Sequence, residues 1–443
     1  VEFHSNAAVR CERDDYPFGD WASRGIVASD SASVTLRNLD IHGLASGGIN
    51  AGGLSDWTVE DVRIAGNGWS GWDGDLAVGE DSNNGTLTFR RFLVEWNGCA
   101  ETYPGRQPDH CWAQSAGGYG DGVGTAATGG DWVIEDSIFR HNTSDGLDLL
   151  YLGRGGRGGN ATVRRSLSYG NAGNQMKIGG SAVLVNVALA GNCGFFSEKP
   201  FAQEFGGDHC RAGGNALALS LHRGNSSSVV NATIVGEGDV LVEVTCDESN
   251  PDCDGSEQVL VQNSVLKGYG DFMTPGEDVG LFWDPAGFTT GRVDYNVVTG
   301  VKPGECPAGP HDLCEDPKFA GDALASFDGH LDDGSPALES GLSVGALGGL
   351  VPAEDIEGNA RPSGTGVDRG AYESGSDAGP DSSHPSDVSD VSDTSEPAAD
   401  GASEADAGFD QSDASDTSDV SDTSESPSDA GAGGCGCATV DSL

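Results

Sequence analysis

A short motif recurs along most of the chain: two or three β-formers, a polar pair, then a second apolar pair. Copies read VTLRNLDI (34–41), WTVEDVRI (57–64), LTFRRFLV (87–94), WVIEDSIF (132–139), ATVRRSLS (161–168), AVLVNVAL (182–189), SVVNATIV (228–235) and QVLVQNSVL (258–266). Their starts are separated by roughly 21 to 30 residues, with two gaps near 45 where Cys-bearing loops are inserted. A unit this short cannot bury its apolar face alone, so successive copies must stack into a solenoid. Asn-Gly, Gly-Asn and Asn-x-Ser/Asp-Gly turns follow the copies, and Gly makes up 70 of 443 residues without a period of three. These features predict an all-β, right-handed, single-stranded parallel β-helix, one motif per coil. A leucine-rich repeat needs fixed Leu and Asn positions that are absent, and a propeller needs four strands per repeat.

The rhythm divides the chain into coils over 1–270, a C-terminal end over 271–373, and a Ser/Asp/Thr-rich run over 374–443. That last run holds 17 acids and no Lys or Arg, and reads as a disordered, self-repelling linker. Without it the chain still carries 53 acids against 23 bases, which excludes a general nucleic-acid binder. Eight of the eleven cysteines fall in close pairs, Cys99/Cys111, Cys193/Cys210, Cys246/Cys253 and Cys306/Cys314, as disulfide staples of an oxidising compartment do. Cys11 is left over. No CxxC pair with partner ligands supports zinc outside the tail, and no segment has the apolar length to span a membrane. The chain opens on Val1 in strand-like sequence, so a preceding N-terminal segment with a signal peptide is expected.

Polar residues cluster in Tyr119–Gly180. Asp121-Gly-Val123 aligns with Asp145-Gly-Leu147 and Asn174-Gln-Met176, which brings Gly124, Asp148 and Lys177 into register. Side chains alternate between interior and outer face, so Leu147 and Leu149 place Asp148 outside, and Met176 and Ile178 place Gln175 and Lys177 outside. Asp148 then lies beside Lys177, while Asp121, Asp145 and Asn174 form a second column at the preceding turn. Carboxylates grouped on an exposed sheet face suit Ca²⁺, which takes six to eight oxygen ligands. Arg154 and Arg157, in a Gly-rich loop nearby, are candidate partners for a substrate carboxylate.

An Asp-Gly coil followed by N-x-S-D-G-x-D and G-N-x-x-K-x-G-G resembles the core of the family-nine polysaccharide lyases, β-helix enzymes acting on pectate. The resemblance spans about 60 residues. It implies that Asp121, Asp145 and Asp148 are calcium ligands, that Lys177 is the base, and that a uronic-acid polymer is cleaved by β-elimination. Where the family has two adjacent aspartates this chain has Ser144-Asp145, a weaker neutral ligand that lowers the expected calcium affinity. A second resemblance covers DIEGNARPSGTGVDRGAYE (355–373), through Asp355, Gly358, Arg361, Asp368, Gly370, Ala371, Tyr372 and Glu373. It is similar to the choice-of-anchor segment closing many bacterial surface β-helix proteins. GAGGCGCATV (431–440) resembles the Cys-bearing anchoring signal of myxobacterial exported proteins, although the usual apolar segment and Arg cluster do not follow. Together these imply a monomer secreted to, or anchored at, the outer surface of a Gram-negative cell, through Cys435 or Cys437.

The same residues carry plainer readings. Asp and Asn at solenoid turns cap backbone N–H groups or stack as ladders, and Lys177 beside Asp148 can be a surface ion pair. Arg90-Arg91 and Arg164-Arg165 fit a solvated face. Trp69, Trp72 and Tyr151 can stack on sugar rings or pack. His110, His141 and His209 lack a ligand spacing and read as structural. The competing functions are a non-catalytic glycan-binding or adhesion scaffold and a polygalacturonase-like hydrolase working with carboxylates alone.

Overall fold

The structure is a computed structural model and describes residues 2–4, 22–74, 82–102, 107–116, 119–202, 205–247 and 253–375. Cys11, Cys435, Cys437 and the acidic run after 375 lie outside the described residues. Two parallel sheets share the coils. A fourteen-stranded sheet takes the longer strands, among them Thr35–His42, Thr58–Ala65, Thr86–Glu95, Asn160–Tyr169 and Ser181–Gly191. A nine-stranded sheet takes one short strand per coil, from Ile26–Ser29 through Leu147–Leu149 and Met176–Gly179 to Gly280–Trp283.

Alternation decides what each strand buries. In the short-strand sheet Ile49, Trp72, Val123, Leu147, Met176, Leu217 and Val242 pair in one inward column. In the long-strand sheet Leu36, Val59, Phe89, Ile134, Val163, Leu184, Val229 and Val261 do the same. The two columns meet in one dry core in which most members are at most 1% exposed. This is the parallel β-helix that the repeats predict. Pairing of Val261 with Val293 and of Val265 with Val297 carries the coils on to Thr299, past the boundary drawn at 270.

The recurring polar pair is a corner. Its second residue, at Asn38, Asp61, Arg91, Asp136, Arg165, Asn186, Asn231 and Asn263, has φ between 46° and 58°, the left-handed region that bends the strand. Asn and Asp tolerate it because their short side chains bond locally. Where Arg stands instead, it leans on the corner acid one coil back: Arg91 Nε lies 2.6 Å from Asp61 Oδ1, and Arg165 Nε 2.6 Å from Asp136 Oδ1. Arg90 and Arg164 are solvent-exposed, as read from sequence.

Register between coils is fixed by a buried amide ladder. Asn67 Nδ2 donates to Asn97 Oδ1 at 2.9 Å, Asn97 to Asn142 at 2.9 Å, and Asn142 to Asn171 at 2.8 Å. The ladder needs glycines beside it: a Cβ on Gly71, Gly122 or Gly146 would stand 2.6–2.8 Å from the Nδ2 of Asn97, Asn142 or Asn171. At the next coil Gln175 replaces this glycine, and its Oε1 accepts from Asn171 Nδ2 at 2.8 Å. Gln175 is therefore fully buried, not outward-facing as alternation suggests, because it ends the ladder.

Where the corners turn to Asn, the C-terminal segment covers them. Asn186 Nδ2 donates to Glu354 O at 2.7 Å, Asn231 Nδ2 to Gly370 O at 3.1 Å, and Leu342 N–H to Asn263 Oδ1 at 2.7 Å. Arg361 is buried against Glu373 at 3.1 Å and donates to the Gly370 and Ala371 carbonyls. The residues that resemble an anchor segment thus brace the flank of the helix. All four expected disulfides are formed, placing the folded chain in an oxidising compartment. Among the described residues no helix is long and apolar enough to cross a membrane.

Two outcomes follow for stability. Asn142→Ala strands buried partners on both neighbouring coils and is expected to cost about 2–4 kcal/mol, read as a lower urea midpoint. His330 is held up to about 9 by its bonds to Glu357 and Asp328, against an ordinary value of 6.5. Its contribution is complete below pH 6.5 and is lost as pH rises through 9, so Tm falls over that window and His330→Ala reduces the fall.

Candidate functional site

The short-strand sheet carries the polar cluster. Strand Leu147–Leu149 alternates in, out, in, and Met176–Gly179 begins the same way. Asp148 pairs with Gly124 on one side and Lys177 on the other, as the repeat alignment requires. At the preceding turn the second column also forms. Asp145 N–H donates to Asp121 Oδ1 at 3.0 Å, Asn174 N–H to Asp145 Oδ1 at 2.6 Å, and Asn215 N–H to Asn174 Oδ1 at 3.1 Å. Each acid in this column therefore caps the next coil with one oxygen and keeps the other for the cluster.

Lys177 joins the columns. Its Nζ lies 3.1 Å from Asp145 Oδ2 and 3.1 Å from Asp148 Oδ2. One carboxylate oxygen from each of Asp121, Asp145 and Asp148 lies within 4.8 Å of the others. The expected exposed face is only half realised: Asp121 and Asp145 are buried, and the side chains of Asp148 and Lys177 are each 15% exposed. Gly124 lets Asp121 and Tyr119 approach the strand, since a Cβ there would stand 2.8 Å from Asp121 Oδ2 and 2.9 Å from the Tyr119 hydroxyl.

A residue the repeats did not reveal completes the cluster. Arg211 Nη1 donates to Ser144 Oγ at 3.1 Å and lies 3.9 Å from Asp145 Oδ2. It comes from the insertion stapled by Cys193 and Cys210, whose Phe196 and Phe205 pack with the Cys99–Cys111 hairpin in a second small core. An inserted loop has no periodicity, so only its position next to Cys210 hinted at a fixed place. The expected substrate arginines are bonded to other groups. Arg154 is committed to Asp247 by two bonds, at 2.9 and 3.2 Å, and covers the Tyr151 ring. Arg157 Nη1 donates to Arg154 O at 3.0 Å. Trp72 is core, whereas Trp69 is 37% exposed and stacks on Tyr119.

Charge is nearly balanced. Asp145 and Asp148 face Lys177 and Arg211, leaving Asp121 as the uncompensated acid. Burial, with Asp145 and Asp148 alongside, pushes Asp121 up to about 8. For Asp145, burial is outweighed by Lys177 and Arg211, and its carboxyl is held below the usual range. Burial raises Asp148 despite Lys177. Burial acts to lower Lys177 too, but the three aspartates prevail and hold its ammonium charged. Such a donor set fits a hard divalent cation: Asp121, Asp145, Asp148 and the Ser144 hydroxyl offer oxygens only, and a dication supplies the charge Asp121 lacks.

No protein-family model matches the chain, and no curated protein matches it. Among solved structures it is similar to the crystal structure of pectate lyase Pel9A, at 14% identity and a TM-score of 0.40, over 81% of this chain and 75% of that one.

Asp121 supplies the test of cation binding. Because its folded pKa exceeds the ordinary 3.8, it lowers stability as pH rises from 4 through 8. In chelator at pH 9, Asp121→Asn is therefore expected to melt above the wild type. Saturating calcium should raise the wild-type Tm by about 3 °C or more and leave Asp121→Asn unmoved, as read by calorimetry.

Proposed function

We propose that this β-helix is an acidic-polysaccharide lyase that cleaves a uronic-acid polymer by β-elimination, with Lys177 as base and calcium held by Asp121, Asp145, Asp148 and Ser144. The observation that carries this reading is the contact of one lysine with two of three clustered carboxylates, Asp148 on its own outward sheet column and Asp145 at the preceding turn. Calcium bound there would neutralise the sugar carboxylate and acidify the proton at C5. The Lys177 amine, when neutral, takes that proton; the C5–H electron pair becomes the C4=C5 double bond, the C4–O bond breaks, and the leaving oxygen is protonated by solvent. Balanced this way, the step needs no oxidant or other co-reactant.

The acids govern whether Lys177 can act. Alone, they keep its ammonium protonated, and an ammonium is no base. A dication held by Asp121, Asp145 and Asp148 would repel the charged form and favour the free amine. Arg211, beside Asp145, would meet a substrate carboxylate, a role Arg154 cannot fill while bonded to Asp247. A carboxylate-only hydrolase fits less well. Inverting hydrolases need carboxyls roughly 6.5–9.5 Å apart to admit water, and a lysine here stands between the acids. Surface display on a Gram-negative cell, through the tail cysteines, completes this reading.

Incubation with polygalacturonate tests it. The wild type with calcium is expected to release unsaturated products with ultraviolet absorbance, at a rate that rises with pH. Chelator or Lys177→Ala should reduce the rate about 10²–10⁴-fold. Calcium-dependent turnover that survives the Lys177 change, or products without the double bond, removes the mechanism.

A further inference from the structure

The outward column through the cluster runs along the helix axis as Asn50, Asp73, Gly124, Asp148, Lys177, Ala218, Glu243 and Trp283. Its single cation, Lys177, is already held by two aspartates. Beyond Lys177 come a small residue, an acid and an indole that is 57% exposed. The next outward column on the same coils is Gly179, Ser220 and Thr245, all uncharged. A sugar chain leaving the cluster in this direction passes over Ala218 and Ser220, which are recessed at 5% exposure each, meets the half-buried Glu243 carboxylate two coils on, and reaches an aromatic face three coils on. Three coil steps of the parallel sheet span about 14 Å, and an extended pyranose chain advances by a similar amount per unit as the coils do per step.

We propose that the strip from Ala218 to Trp283 is a subsite for uncharged sugar units, with Trp283 as the stacking platform and Glu243 as the group that rejects a free uronate. This rests on the lyase reading and sharpens it: the substrate carries its free carboxylate at Lys177 and neutral units toward Trp283. A polymer with a carboxylate on every sugar would set an anion against Glu243, and the one cation of the two columns, Lys177, lies two coils away and is already held by Asp145 and Asp148. Unlike charges, indole stacking is indifferent to salt and gains most from an uncharged ring face.

The full chain with calcium is compared on fully de-esterified and randomly half-methyl-esterified polygalacturonate. The wild type should favour the half-esterified polymer in kcat/KM by about fivefold, the scale of one screened charge contact. Glu243→Gln should bring that ratio toward one. Trp283→Ala should raise KM about fivefold on both polymers while leaving kcat in place. A preference for the de-esterified polymer that Glu243→Gln does not move, or a wild-type KM in Trp283→Ala, overturns the subsite and leaves the lyase standing. If neither polymer is turned over, the lyase reading fails on that ground. Calorimetric binding of methyl-esterified and free oligogalacturonides then decides the subsite alone: tighter binding of the esters, lost in Trp283→Ala, supports it, and equal affinities overturn it.

Discussion

Everything in this molecule depends on coils stacking in one register, and a buried row of side-chain amides enforces it. Each ladder Asn accepts a backbone N–H and passes its own N–H to the neighbouring coil, so a slipped coil leaves several buried polar groups unpaired. A slip of one residue would also exchange the two faces of every strand, turning Leu147 outward and Asp148 into the core. The glycines at 71, 122 and 146 belong to the same device, since only their missing side chains let the ladder pass. Hydrophobic stacking supplies the affinity between coils, and the amides select the alignment.

Much of this was legible because strand pairing copies the repeat. Once Asp121, Asp145 and Asn174 are set in one column, the pairing of Asp148 with Lys177 follows from the two-residue period alone. Gln175 shows where that logic stops. It lies one residue outside the regular strand, at a position that coils before it fill with glycine, and its direction is decided by the end of the ladder rather than by alternation. Arg211 and Arg154 were out of reach for a related reason. Both sit in irregular segments, and their partners, Asp145 and Asp247, lie 66 and 93 residues away in sequence. The depth of burial of Asp121 and Asp145 was hidden too, because the insertions that wall the cluster contribute no repeat.

The polar pair of the motif has a physical origin that a solvated-face reading misses. A strand that bends through a left-handed residue needs a side chain that tolerates the bend, or a neighbour that stabilises one that does not. From Asp61 to Arg165 the corners are charged and pair across coils at the surface; from Asn186 onward they are amides bonded to the C-terminal segment. The change of residue type therefore marks where that segment docks. Arg361, buried among Glu373 and three carbonyls, holds the segment in a shape that presents two of them, Asp368 and Gly370, to the Asn231 corner.

The cluster reuses the solenoid's own hardware, and this explains its charge state. Asp121 and Asp145 occupy ladder positions, where a neutral amide such as Asn174 or Asn215 serves the backbone equally well. An acid there keeps one oxygen for the fold and turns the other, with its charge, to the cluster. Burying three such acids is unfavourable unless cations accompany them. Lys177 and Arg211 compensate two, so the fold stops one charge short of neutrality, and the deficit sits on Asp121. A further acid at position 144, next to Asp145, would deepen that deficit, whereas the Ser144 hydroxyl bonds Arg211 without adding charge. The serine thus ties Arg211 to the cluster and leaves Lys177 facing the charge of the three aspartates alone.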